Sequence, residues 1–139
     1  MPAAARGLVL AIALGACATT PPALPIPDTQ SLTGQWMGRM YGPLGRTLAL
    51  VAILPDGHYR GILYYEGADR EFRGSIVVLS PRRARFHGLD GNGEVTLLER
   101  DGKRVLRFRT DAGSGGGEFT QISTLVPDPE TGVPAAPGR

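Results

Sequence analysis

Between residues 34 and 123 the chain is written as short runs alternating apolar and polar residues, each closed by a turn signal, and no stretch sustains a helical period. Eight such runs predict strands over 34–41, 46–54, 58–65, 70–79, 83–89, 94–100, 103–110 and 118–123. The breaks between them, Pro55-Asp56-Gly57, Gly67-Ala68-Asp69, Ser80-Pro81, Gly91-Asn92-Gly93 and Asp101-Gly102, supply the residues that tight hairpins require. Connections this short join antiparallel neighbours, so the expected fold is all-β. It is a small up-and-down meander closing into an approximately eight-stranded barrel.

Within the meander one three-residue word recurs: Tyr59-Arg60-Gly61, Phe72-Arg73-Gly74 and Phe86-His87-Gly88, with the glycines 13 and 14 positions apart. Taking the turn residues as loop centres puts Ala52 opposite Gly61, Gly61 opposite Gly74, Gly74 opposite Gly88 and Gly88 opposite Val95. With side chains alternating faces, Tyr59, Phe72 and Phe86 share the glycines' face. Leu48, Leu50, Leu54, Leu63, Ile76, Val78, Leu97, Leu106 and Phe108 are predicted to join them inside. Glycines beside aromatics let a sheet curl tightly enough to close, so Gly61, Gly74 and Gly88 are read as barrel-shaping positions.

At the first strand, Gly34-Gln35-Trp36 resembles the Gly-x-Trp opening of lipocalins and avidins, whose barrels are eight-stranded meanders. The resemblance implies that Trp36, the only tryptophan, plugs one barrel end. The tryptophans of avidin-type biotin sites are missing, so the architecture is carried over and the ligand is not.

The N-terminus is a secretory signal: Arg6 precedes an apolar run over 7–14, too short for the roughly 20 residues of a spanning helix. Leu14-Gly15-Ala16-Cys17 resembles the lipobox of bacterial lipoproteins, which implies a diacylglyceryl group joined to the Cys17 thiol, cleavage before Cys17 and acylation of the new amino terminus. Ala18 in place of aspartate favours the outer membrane, with the domain facing the periplasm. The expected organisation is a signal peptide over 1–16, a lipidated Pro-rich solvated tether over 17–30, the barrel over 31–126 and a disordered Pro-rich tail over 127–139. Cys17 is the single cysteine, so no intrachain disulfide forms.

With 15 Lys+Arg against 13 Asp+Glu, the chain lacks the excess of positive charge that a nucleic-acid partner demands. No metal or other cofactor is predicted, and no catalytic residues. Ser75 beside His87 on the outer face lacks an acidic orienter, Asp90 to Glu94 lack a calcium loop's ligand pattern, and Gly113 to Gly117 read as a flexible loop and not a phosphate cradle.

Two outward surfaces are predicted. Val51, Ile53, Ile62 and Tyr64 form an apolar patch suited to a protein partner or a second copy of the chain. Arg73, Arg85, Arg107 and Arg109, with His87, form a basic stripe suited to an envelope polyanion, with Glu94 opposite Arg109. The function expected first is a lipid-anchored envelope interaction module without catalytic activity. The alternative is a lipocalin-like carrier of a small apolar ligand, and a hollow interior distinguishes the two.

Overall fold

The structure, a computed structural model, describes residues 20–43, 45–88 and 91–126. The signal peptide, Cys17 and the tail over 127–139 lie outside the described residues. The strands are β1 (Ala23–Leu24), β2 (Gly34–Gly42), β3 (Gly45–Ile53), β4 (His58–Tyr65), β5 (Ala68–Ser80), β6 (Arg83–Gly88), β7 (Gly91–Arg100), β8 (Lys103–Thr110) and β9 (Gly116–Ser123). From β2 to β9 each strand pairs antiparallel with the next, and β9 returns to β2, so eight strands close a barrel. β1 is the one addition, pairing with β7 beyond the start of the shorter β6.

Registers follow the turns, and three of the five predicted cross-strand pairs around the meander need correction. The Asp101-Gly102 turn has both residues at positive φ, 53° and 72°, the conformation of a two-residue hairpin turn, and Glu94 lies opposite Arg109 as expected. Gly74 opposite Gly88 also holds. Gly61, however, pairs with Phe72, and Tyr59 pairs with Gly74, because the β4–β5 turn is centred on Glu66-Gly67. Val95 faces Ala84, and Gly88 faces Gly91. Both shifts are by an even number of residues, so each strand keeps its faces.

The β3–β4 connection differs by one residue, and that reverses β3. Leu54 accepts a hydrogen bond from Gly57 N–H (3.0 Å), and Gly57 sits at φ 89°. Pro55-Asp56-Gly57 is thus a three-residue loop with glycine in the left-handed position, not a two-residue turn centred on Asp56-Gly57. Gly61 then lies opposite Val51 and not Ala52. A one-residue slip moves every side chain to the other face. Val51 (1% exposed) and Ile53 (0%) belong to the lumen core, whereas Leu48, Leu50 and Leu54 take the outer parity, where Leu50 is nonetheless buried.

The segment before β2 is no solvated tether from β1 onward. Ile26 and Leu32 are buried, Ile26 N–H donates to Pro81 O (2.8 Å), and the Thr29 hydroxyl donates to Pro55 O (2.9 Å). Asp28 accepts from Ser31 N–H (2.8 Å) at the start of a 3-10 turn over Gln30–Leu32. This strap crosses one barrel end and ties down the β3–β4 and β5–β6 loops.

Outward positions carry Arg60, Glu71, Arg85, Glu94, Arg107 and Glu118, while inward ones carry the apolar core. That is the reverse of a barrel that spans a membrane with an apolar exterior and a polar lumen.

Candidate functional site

The recurring glycines have a direct role in closing the barrel. A Cβ built on Gly61 would lie 2.5 Å from Phe72 Cζ, one on Gly74 would lie 2.6 Å from Tyr59 Cζ, and one on Gly93 would lie 2.6 Å from Phe86 Cε1. Each aromatic of the repeated word covers a glycine on the neighbouring strand, which the sequence register did not pair with it. The missing side chains let rings lie down along the curved wall.

Those rings meet at mid-height. Phe108 stands edge-on to Tyr59 (6.2 Å between centroids), Phe86 (5.4 Å) and Phe119 (5.5 Å), and Tyr59 lies 6.2 Å from Phe72. Toward the Trp36 end, Ile53, Ile76, Ala84, Leu97 and Leu106 fill the lumen. Toward the other end lies a cavity of about 390 Å³, with Tyr59, Phe86, Phe108 and Phe119 in its lining. Its mouth lies among the β2–β3, β4–β5, β6–β7 and β8–β9 connections, where Tyr41, Pro43, Tyr65, Arg70, Gly88, Gly91 and Ser114 line it. The barrel is therefore solid in one half and hollow in the other.

The solid end is closed by Trp36, 1% exposed, whose indole Nε1–H donates to Leu32 O (2.9 Å). Arg104, at the start of β8, lies over the indole ring (5.6 Å to its centroid). It donates to Gln121 Oε1 (3.0 Å) and to Ser31 O of the strap (2.7 Å). Burial pulls the Arg104 pKa down. Sequence reasoning missed Arg104 and Gln121, since one arginine among many at a strand start carries no local signal of facing inward.

The predicted surfaces are altered. Val51 and Ile53 leave the apolar patch for the core; Ile62 pairs with Leu50 and Tyr64 with Leu48, and of these outer-parity residues Leu50 is buried while Leu48, Ile62 and Tyr64 are half-buried. In the basic stripe, Arg85 donates to Asp111, and Arg107 (2.8 Å) and Arg100 (2.9 Å) both reach Glu118. Hydrogen bonds from Arg100 and then Arg107 outweigh desolvation and hold the Glu118 carboxyl below its usual range. Arg109 faces Glu94, and Arg73 lies opposite Arg60 on β4 and joins the cavity's rim. Carboxylates thus meet Arg85 and Arg107, which weakens the stripe as an anion surface.

Ser75 lies between His58 and His87 across three strands. His58 Nδ1 lies 3.0 Å from Asp56 Oδ2, with both side chains well exposed. Of the glycine run over 113–117, read from the sequence as a flexible loop, residues 113–115 lie in the β8–β9 loop while Gly116 and Gly117 are strand residues, and a Cβ on Gly116 would lie 2.8 Å from the Tyr41 hydroxyl. They thin the wall at the cavity mouth. Compared with family models, with curated proteins and with solved structures, the chain gives no match.

Proposed function

We infer that this chain is a lipid-anchored envelope protein whose barrel carries a small, mainly apolar ligand. The observation that carries the reading is the cavity of about 390 Å³ above the aromatic floor. It falls within the roughly 300–1,000 Å³ of ligand pockets and has their composition, an apolar wall with few polar groups. The sequence reading put an interaction module ahead of a carrier. The half-hollow lumen, together with the loss of Val51 and Ile53 from the outer patch, reverses that order.

The anchor at Cys17 and the outer-membrane address rest on the lipobox resemblance. The strap adds an orientation. β1 runs antiparallel to β7, so the chain preceding Ala23 heads toward the β7–β8 turn at the solid end. At most about 11 Å of extended chain joins Cys17 to Thr20. Anchoring there brings the Trp36 end to the membrane and turns the mouth away from it, so ligand exchanges with the aqueous compartment.

Ligand binding is tested with N-phenylnaphthylamine, a neutral probe that fluoresces in apolar surroundings. Saturable binding by the wild type should disappear in Thr47→Trp, which fills the lumen from a buried lining position, while far-UV dichroism keeps its β signature. Binding unchanged by the substitution would place the probe on the surface and refute the carrier.

A further inference from the structure

We propose that Phe108 sets the length of ligand that the cavity accepts, so that the barrel selects an amphiphile with an apolar chain of about eight to ten carbons over longer lipid chains. The proposal rests on the carrier reading and specifies its ligand class. The hollow ends at one level on three strands. Phe108 lines it, whereas Leu106, the next inward residue of β8 toward the Trp36 end, does not; Phe86 and Ala84 on β6, and Val51 and Ile53 on β3, divide in the same way. The three deeper residues are buried in the packed half of the core. Tyr59, Phe86 and Phe119 brace the Phe108 ring at 6.2, 5.4 and 5.5 Å between centroids, so an entering chain meets a ring held on three sides.

This floor lies near mid-height of a barrel roughly 20–25 Å tall, which leaves about 10–12 Å to the mouth. An extended chain advances about 1.2 Å per single bond, as in the roughly 3.3–3.6 Å of a three-bond residue, so about eight to ten carbons span that depth. At the mouth the wall carries the hydroxyls of Tyr41, Tyr65, Thr110 and Ser114, beside which the polar end of an amphiphile stays while its chain fills the apolar part. Arg70 already has an interaction partner, and Arg73 takes the outward parity of β5 opposite Arg60. Selection therefore lies in the floor and requires no charged head.

Displacement of N-phenylnaphthylamine by the straight 1-alkanols from hexanol to dodecanol tests this, in wild type and Phe108→Ala. Phe108→Leu takes the place of the alanine variant should that protein lose its far-UV β signature. In the wild type, affinity should climb about fourfold per buried methylene as far as octanol or decanol. It should then level off, because further methylenes remain in water outside the mouth. In the Phe108 variant the climb should continue through dodecanol. A wild-type series that climbs unbroken to dodecanol would overturn the proposal, and so would a variant that weakens every alkanol without moving the break; both leave a carrier standing. Failure of every alkanol to displace a bound probe would overturn it as well and leave carriage of ring compounds. Failure of the probe itself to bind would remove the carrier reading and this proposal with it.

Discussion

Gly74 has no room for a methyl group. Its added Cβ would press on His87 O of the neighbouring strand and on the Tyr59 ring, and strand backbone cannot swing aside as a flexible side chain would. Gly42, at the mouth, would meet nothing within 4 Å and has an ordinary φ. Gly74→Ala should therefore cost about 1–3 kcal/mol through overpacking, whereas Gly42→Ala should stay within about 0.5 kcal/mol of the wild type. Urea unfolding of the two variants decides; equal stabilities would mean that the glycine is not what lets the ring lie on the wall. The repeated word was legible as a curvature device because it joins an aromatic and a glycine at strand spacing. Which ring covers which glycine was not legible, since that depends on turn centres one or two residues apart that the turn composition alone does not separate.

At the scale of elements, legibility followed the number of residues in each turn. The Asp101-Gly102 hairpin was read correctly because two residues at positive φ leave one register. At Pro55-Asp56-Gly57 the same dipeptide type sits behind a proline, and the loop takes three residues. The apolar pattern of β3, with Leu48, Leu50, Val51, Ile53 and Leu54 on both parities, contains nothing to forbid either face. The strap was hidden for a different reason. Four prolines over 18–30 look like a solvated linker, yet Ile26 and Leu32 between and after them are the residues that dock it. Arg104 fastens this element to β8, β9 and Trp36 at once. Arg104→Met should lose about 2–3 kcal/mol, since hydrogen bonds from a charged donor contribute roughly 1.5–3 kcal/mol and the ring contact about 0.5–2, offset in part by the retained apolar stem. The sole tryptophan reports the consequence: emission shifting to the red together with a lower Tm shows the strap lifting from the indole. An unchanged Tm and spectrum would show that Leu32 and Ile26 hold the strap unaided.

For the whole molecule, the two barrel ends have different tasks. The end capped by Trp36, Arg104 and the strap is the one the chain preceding Ala23 approaches, and the opposite end holds the cavity mouth, so in the proposed scheme a barrel length separates the anchor from the ligand. Six of the eight barrel strands have eight to ten residues; at about 3.3 Å per residue and a tilt of roughly 35–45° they give a height of about 20–25 Å. A donor dye on Lys103→Cys, at the exposed start of β8 beside the β7–β8 turn, should therefore lie closer to the bilayer than one on Ser114→Cys in the exposed β8–β9 loop. Cys17 is consumed by the lipid in this scheme, so each introduced thiol labels alone. With the lipidated protein on vesicles carrying a headgroup acceptor, transfer from position 103 should exceed transfer from position 114, and Cys17→Ala should abolish both by leaving the protein in solution. Stronger transfer from position 114 would turn the mouth toward the membrane and require ligand to enter from the lipid. Undiminished transfer in Cys17→Ala would show that another surface holds the protein there.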